Sequence, residues 1–273
     1  MNHSTGIYAN VVDLSYLTDI APNFPQTKER VVGWPMRPYT NGKDLLITFP
    51  RSHSTITHEI FTNYYLGNTW DGLLKHCKTR IMLIRNQFDR ILSAFYNDPE
   101  QCLDFFPPDE DFSSLTFREF VIYALPSTIS WMVENFEYSI DSKAYHIAPY
   151  WLCLFGGNFK YLVENHDNLL NEGFVYVTTD RYKELLQVLK LRGFNINPSQ
   201  ADVRSSLIKK IVYSKSNMFE PYNIPWKDLK ELNSKPTVSE MYNSEMEECM
   251  RDLYTRDMYV FDQSILELKR EIK

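Results

Sequence analysis

Three short apolar runs punctuate the chain: LLITF (45–49), RIMLIR (80–85) and FVYVTT (174–179). Each is nearly continuous in Leu, Ile, Val, Met and Phe, the pattern of a strand buried on both faces of a parallel sheet. After the second run, Phe88, Ile91, Leu92 and Phe95 recur at i, i+3, i+4 and i+7, one face of a helix. After the third, Tyr182, Leu185, Leu186 and Leu189 repeat the spacing. Strand followed by helix is the βα unit, so an α/β domain with a parallel sheet is expected. Residues 112–172 read as a helical insertion interrupted by Pro126, Pro149 and Gly156-Gly157, and 195–236 as mainly loop. Residues 238–271 read as a C-terminal helix. The prolines of APNFPQ and GWPMRPYTNG make 1–43 an irregular lead-in. The pattern predicts a single domain over 1–273.

Composition narrows the class. The chain has 273 residues, 44% hydrophobic and 23% charged, enough apolar material for a sizeable core and too much for a disordered chain. A net charge of −6 argues against nucleic acid and other strongly polyanionic partners. No apolar run approaches the roughly 20 residues of a membrane span. The opening MNHSTGIYANVVDLSY lacks a basic region followed by an apolar one, so a cytoplasmic location is expected. Cys77, Cys102, Cys153 and Cys249 are widely spaced with no CxxC pair, which predicts reduced thiols and no zinc site.

The chemistry begins where the first strand ends. In LLITFPRSHSTITHEIF, Phe49-Pro50 breaks the strand and Arg51-Ser52-His53-Ser54-Thr55 leads into a helical pattern. Backbone N–H groups at a helix start, three hydroxyls and a guanidinium make a natural anion site. The stretch lacks the glycines and the Gly-Lys pair of the nucleoside-triphosphate loop G-x-x-x-x-G-K-[ST], which weakens a Mg-nucleotide kinase reading. In LIRNQFDRILSAFYN, Arg85 ends the second strand and Ser93 follows eight residues later on the next helix. Strand ends in a parallel sheet share one edge, where open α/β sheets bind ligands. Two anion sites on neighbouring units suit a ligand with two phosphate-like ends.

FPRSHSTI resembles the 5′-phosphosulfate-binding loop of the sulfotransferases, and IRNQFDRILSAFY is similar to their 3′-phosphate-binding element. FVYVTTDRYKELLQVLKLRGF, HIAPYWLC and LYTRDMYVFD resemble segments of the carbohydrate-type branch, which includes heparan sulfate 2-O-sulfotransferase. The similarity runs in patches from about residue 44 to 265. It implies a P-loop-like three-layer sandwich, a central parallel sheet flanked by helices. It also implies 3′-phosphoadenosine 5′-phosphosulfate (PAPS) as sulfuryl donor, 3′-phosphoadenosine 5′-phosphate (PAP) as product, and no metal. Arg51, Ser52, His53, Ser54 and Thr55 would surround the 5′-phosphosulfate, and Arg85 and Ser93 would hold the 3′-phosphate. Thr178 to Tyr182 would lie near the adenine, and YSKSN around Lys215 is a candidate late contact to the 3′-phosphate.

Arg51 stands where many family members carry lysine, and it would act as a fixed charge on the leaving phosphate. His53 replaces a small residue, and phosphates beside it would favour the imidazolium. The histidine that serves the 2-O branch as base has no counterpart before the second strand. The candidates are His58, Glu59, Asp71 and His146, with His58 and His146 carried forward. The acidic segments PPDEDF and NSEMEEC favour a small neutral or cationic acceptor, sulfated on a hydroxyl, amine or carbamoyl group. The alternatives are the same reaction on a carbohydrate, a P-loop-type nucleotide kinase, and a phosphoadenosine-binding module without catalysis.

Overall fold

The computed structural model describes residues 37–41, 43–49, 51–52, 57, 77, 79–97, 99–103, 111–134, 143–150, 175–196 and 211–271. Its strands are β1 (Arg37–Thr40), β2 (Asp44–Thr48), β3 (Thr79–Ile84) and β4 (Val175–Thr178). Its longer helices are α1 (Gln87–Asn97), α2 (Leu125–Glu134), α3 (Tyr182–Leu191), α4 (Trp226–Glu231) and α5 (Ser244–Glu271). The chain divides into two compact units, one of residues 1–85, 150–207 and 259–273, the other of residues 86–149 and 208–258.

The first unit holds a four-stranded sheet in the order β1-β2-β3-β4. β2, β3 and β4 run parallel, with Leu46 opposite Ile81 and Ile81 opposite Val175. The three predicted strands are therefore present as parallel neighbours, and Leu45, Leu46, Ile47, Met82, Leu83 and Ile84 are all buried. The sheet itself is mixed, because β1 pairs antiparallel with β2. That corrects the expected irregular lead-in at its last residues and adds an antiparallel edge strand to the expected parallel sheet. Pro38 disguised β1: a proline demotes a run from the interior of a sheet but is tolerated on an edge strand.

α3 covers one face of this sheet. Tyr182, Leu185 and Leu189 are buried against Tyr39, Leu46, Ile81 and Leu83, as the helical spacing predicts, with Leu186 partly buried beside them. The helix stops at Gly193, which takes φ +92, a conformation costly for any residue with a Cβ. Gly193 N–H donates to the Lys190 carbonyl and Phe194 N–H to the Leu189 carbonyl, both at 3.0 Å. This is the Schellman pattern, and buried Phe194 supplies its apolar contact.

The helix end also delivers Arg192 to Asp44 at the start of β2, with Nε donating to Oδ2 at 2.8 Å and Nη2 to Oδ1 at 2.7 Å. Asp44 is buried, and the Arg192 guanidinium holds its carboxyl below the usual carboxylate range. Because the folded pKa is depressed, the stabilisation is complete above the unfolded value of about 3.9 and disappears as pH falls through the folded one. Urea unfolding between pH 6 and pH 2 is expected to show a loss of stability below about pH 4. Part of that loss should be absent in Asp44→Asn, and identical pH profiles would refute the linkage.

The second unit is built on α1. Asn86 caps it, accepting from Phe88 N–H at 2.9 Å, and Asp89 sits favourably in the first turn. Ile91, Leu92 and Phe95 are buried as predicted, with Phe88 packed at the margin. Phe95 meets Phe117 at 5.1 Å and Phe120 at 5.3 Å, within an aromatic core that extends to Tyr242. The predicted break at Pro126 is not a break. Phe120–Ala124 forms a single π turn, with Leu125 N–H donating to the Phe120 carbonyl, and α2 runs on through the proline. The wider turn accommodates a residue that has no N–H and would clash with the carbonyl four positions back.

The stretch expected to be mainly loop includes α4, which buries Trp226 and Leu229. The C-terminal helical region is split, because Val238–Met241 is separated from α5 by Tyr242 and Asn243. Thr237 and Glu240 form a capping box there, and Ser216 also donates to Glu240 through N–H and hydroxyl at 2.7 and 3.0 Å. Thr237 above all, then Ser216, draws the Glu240 carboxyl down to about 2. No described helix is long and apolar enough to cross a membrane.

Candidate functional site

β2 delivers the chain into a tight turn. Ser52 N–H donates to the Phe49 carbonyl at 3.0 Å, closing a four-residue turn whose third residue, Arg51, takes φ +63. Positive φ at the third position, with proline at the second, is the sequence pattern of a type II turn, which ordinarily asks for glycine. Arginine there costs about 1–2 kcal/mol of backbone strain, and such strain collects at ligand sites. Arg51→Gly is therefore expected to unfold at a higher temperature than Arg51→Ala, by roughly 1 kcal/mol of stability. Equal midpoints would mean that the turn stores no strain.

β3 runs parallel to β2 and ends one residue before Arg85, so both termini lie on the same sheet edge. Arg85 Nη1 donates to the Arg51 carbonyl at 3.1 Å. Tyr150 joins them from a different part of the sequence. Its hydroxyl accepts from Arg85 N–H at 2.9 Å and shares a hydrogen bond with Ser52 Oγ at 2.7 Å. Its ring lies against Phe49, centroids 4.5 Å apart. At the end of β4, the Tyr182 hydroxyl shares a hydrogen bond with Thr57 Oγ1 at 2.8 Å. Burial pushes the Tyr182 phenol up to about 12 against the lowering effect of Thr57.

Of the residues expected to bind an anion, Arg51, Ser52 and Arg85 are thus brought together. Arg51 and Arg85 are half-buried, whereas Ser52 has 0% exposure and its hydroxyl is engaged with Tyr150. His53, Ser54, Thr55 and His58, with Glu59 and Asp71, lie outside the described residues. Ser93 and His146 belong to the second unit. Ser93 is buried on α1, where Asn97 Nδ2 donates to its carbonyl at 2.6 Å. His146 closes the 3-10 turn Lys143–His146 and is half-buried. Lys215, also in the second unit, is exposed between two held serines, Ser214 bonded to Ser234 Oγ at 2.8 Å and Ser216 to Glu240.

Tyr150 is the residue that sequence reasoning passed over. It stands in HIAPYWLC, one of the segments that resemble the carbohydrate-type branch, and that is the only signal it carries. Among 18 tyrosines, nothing local separates it from a core residue.

Chemically, the arrangement places two guanidinium-bearing residues around one main-chain turn at the ligand edge of a sheet. Each guanidinium has five N–H donors in a planar fork suited to phosphate or sulfate oxygens. Among the described residues, no group of three or more His, Cys, Asp or Glu is placed to hold a metal ion. No protein-family model, curated protein or solved structure matches the chain.

Proposed function

We propose that the protein is a PAPS-dependent sulfotransferase with a single P-loop-like domain, a three-layer sandwich in which helices flank the sheet. The observation that carries this reading is the bond from Arg85 to the Arg51 carbonyl. It unites the two sequence elements that resemble the 5′-phosphosulfate loop and the 3′-phosphate element.

In this reading PAPS lies along the sheet edge. Arg51 faces the phosphosulfate with the loop residues His53, Ser54 and Thr55, on a turn that Ser52 anchors, and Arg85 receives the 3′-phosphate. The S–O bond to the phosphate breaks as the acceptor atom bonds to sulfur on the opposite side, so an SO₃ unit passes in line. Charge collects on the departing phosphate oxygen, where Arg51 stabilises it as a permanent cation. The acceptor proton passes to a general base supplied by the chain. PAP leaves as the product. Catalysis is chiefly positioning and electrostatics, and no metal is required. The acceptor is a small neutral or cationic metabolite, in keeping with the net charge of −6. The protein acts in the cytoplasm.

Thermal unfolding with PAP, compared with Mg-ATP, tests the donor site. A ligand that binds only the folded state adds about 4 kcal/mol at 1,000 times its Kd. A rise in unfolding temperature with PAP that Mg-ATP does not reproduce is the expected result. A larger shift with Mg-ATP would favour the kinase. PAP binding without release of PAP from PAPS across an acceptor panel would favour a binding module.

A further inference from the structure

We infer that Tyr150 is a positioning residue, a hydroxyl latch that sets the distance between the loop arginine and the strand-end arginine, and so selects a ligand with two anionic ends. The inference rests on the donor-site reading above and deepens it.

A phenol has one proton and accepts through its oxygen. Arg85 N–H donates to Tyr150 at 2.9 Å, which uses the accepting side. The hydroxyl also shares a hydrogen bond with Ser52 Oγ at 2.7 Å and reaches the Arg85 carbonyl at 3.4 Å. The first is the better O–H···O distance, and whichever hydroxyl donates, it joins Tyr150 directly to Ser52. One buried hydroxyl therefore ties the residue after Arg51 to the backbone of Arg85, and Arg85 Nη1 closes the loop at the Arg51 carbonyl at 3.1 Å.

Two consequences follow for the site. Ser52, fully buried, anchors the turn that presents Arg51. The two arginines also form one preorganised pair. When two anionic groups share a scaffold, the second contact benefits from an effective concentration only if the protein holds its own groups at the matching distance. Loosening the latch penalises a two-ended ligand more than a one-ended one.

The test is calorimetric titration of the native chain and Tyr150→Phe with PAP and with AMP, which lacks the 3′-phosphate. The expected result is a PAP Kd raised by about tenfold or more in Tyr150→Phe, with AMP affected much less, so that the PAP-to-AMP preference narrows. A merely structural tyrosine would weaken both nucleotides by the same factor or neither, and either outcome overturns the latch. Ser52→Ala removes the same link from the other side and gives the same readout if Tyr150→Phe does not fold. The double variant should lose little more than either single one, whereas additive losses refute a shared role. A native chain that does not bind PAP overturns the donor-site reading and the latch together, whereas the other failures leave that reading standing.

Discussion

Replacing Arg85 by alanine is expected to remove most of the thermal stabilisation that PAP gives the native chain. The residue contributes in two ways. Its guanidinium offers a charged fork to the 3′-phosphate, and a hydrogen bond to a charged group is worth about 1.5–3 kcal/mol. It also donates to the Arg51 carbonyl at 3.1 Å, supporting a turn whose strained residue is the loop arginine. Loss of both effects should raise the PAP Kd by at least about 100-fold, a change of roughly 2.7 kcal/mol. Arg85→Lys keeps the charge without the fork and is expected to fall between the two. The decisive comparison is the PAP-dependent shift in unfolding temperature at equal ligand concentration. An undiminished shift in Arg85→Ala would remove this residue from the nucleotide site, and with it the observation on which the proposed function rests.

The largest effect on stability is expected at Arg90. Arg90 has 0% exposure, a rare position for a permanent cation. Nη1 donates to the Gln87 amide oxygen at 3.1 Å and to the Ala148 carbonyl at 2.8 Å, and Nη2 to the Tyr145 carbonyl at 3.4 Å. Gln87 Nε2 in turn donates to Asp257 Oδ2 at 3.0 Å, and the Tyr254 hydroxyl donates to the Ile147 carbonyl. Arg90→Met keeps most of the volume but leaves the Ala148 and Tyr145 carbonyls and the Gln87 amide oxygen without this donor. Breaking a buried charged network from one side costs about 3–5 kcal/mol. The urea midpoint should fall accordingly. Asp257→Asn should cost less on top of Arg90→Met than alone, because both side chains belong to one network through Gln87. A cost below about 1 kcal/mol would show that the guanidinium is not needed to balance the network.

The contrast between Arg90 and its neighbours shows how far the sequence could be read. Ile91, Leu92 and Phe95 announced themselves by spacing, because burial of an apolar helix face is periodic. Arg90 lies off that face in the pattern, yet it is buried because residues 145 and 148 bring carbonyls that need a donor. Such pairing across more than 50 positions leaves no local trace. The same holds for Tyr150, whose partners lie 98 and 65 residues away in the chain. The three parallel strands were readable because each is continuously apolar and ends at a polar or proline signal. β1 was not, since an edge strand needs neither a long run nor freedom from proline. At the site, the sequence placed Arg51, Ser52 and Arg85 at strand ends, and the sheet brings those ends together. That Ser52 is buried depends on Tyr150 and was not readable from the loop alone.

The order of the strands has a consequence for the chain while it is being made. β2 and β3 are complete once Ile84 has been synthesised, but β3 acquires its second neighbour only at Val175–Thr178, about 90 residues later. At 5–20 residues per second, a ribosome takes about 5–20 s to cover that distance. For that time the edge of β3, with Ile81 to Ile84 along it, has no partner from its own sheet. An open apolar edge is a template for pairing with another chain. The nascent protein therefore passes through a window of exposure to aggregation set by topology rather than by final stability. Bacterial or cell-free synthesis that is slowed between codons 85 and 174 should widen that window and lower the soluble yield.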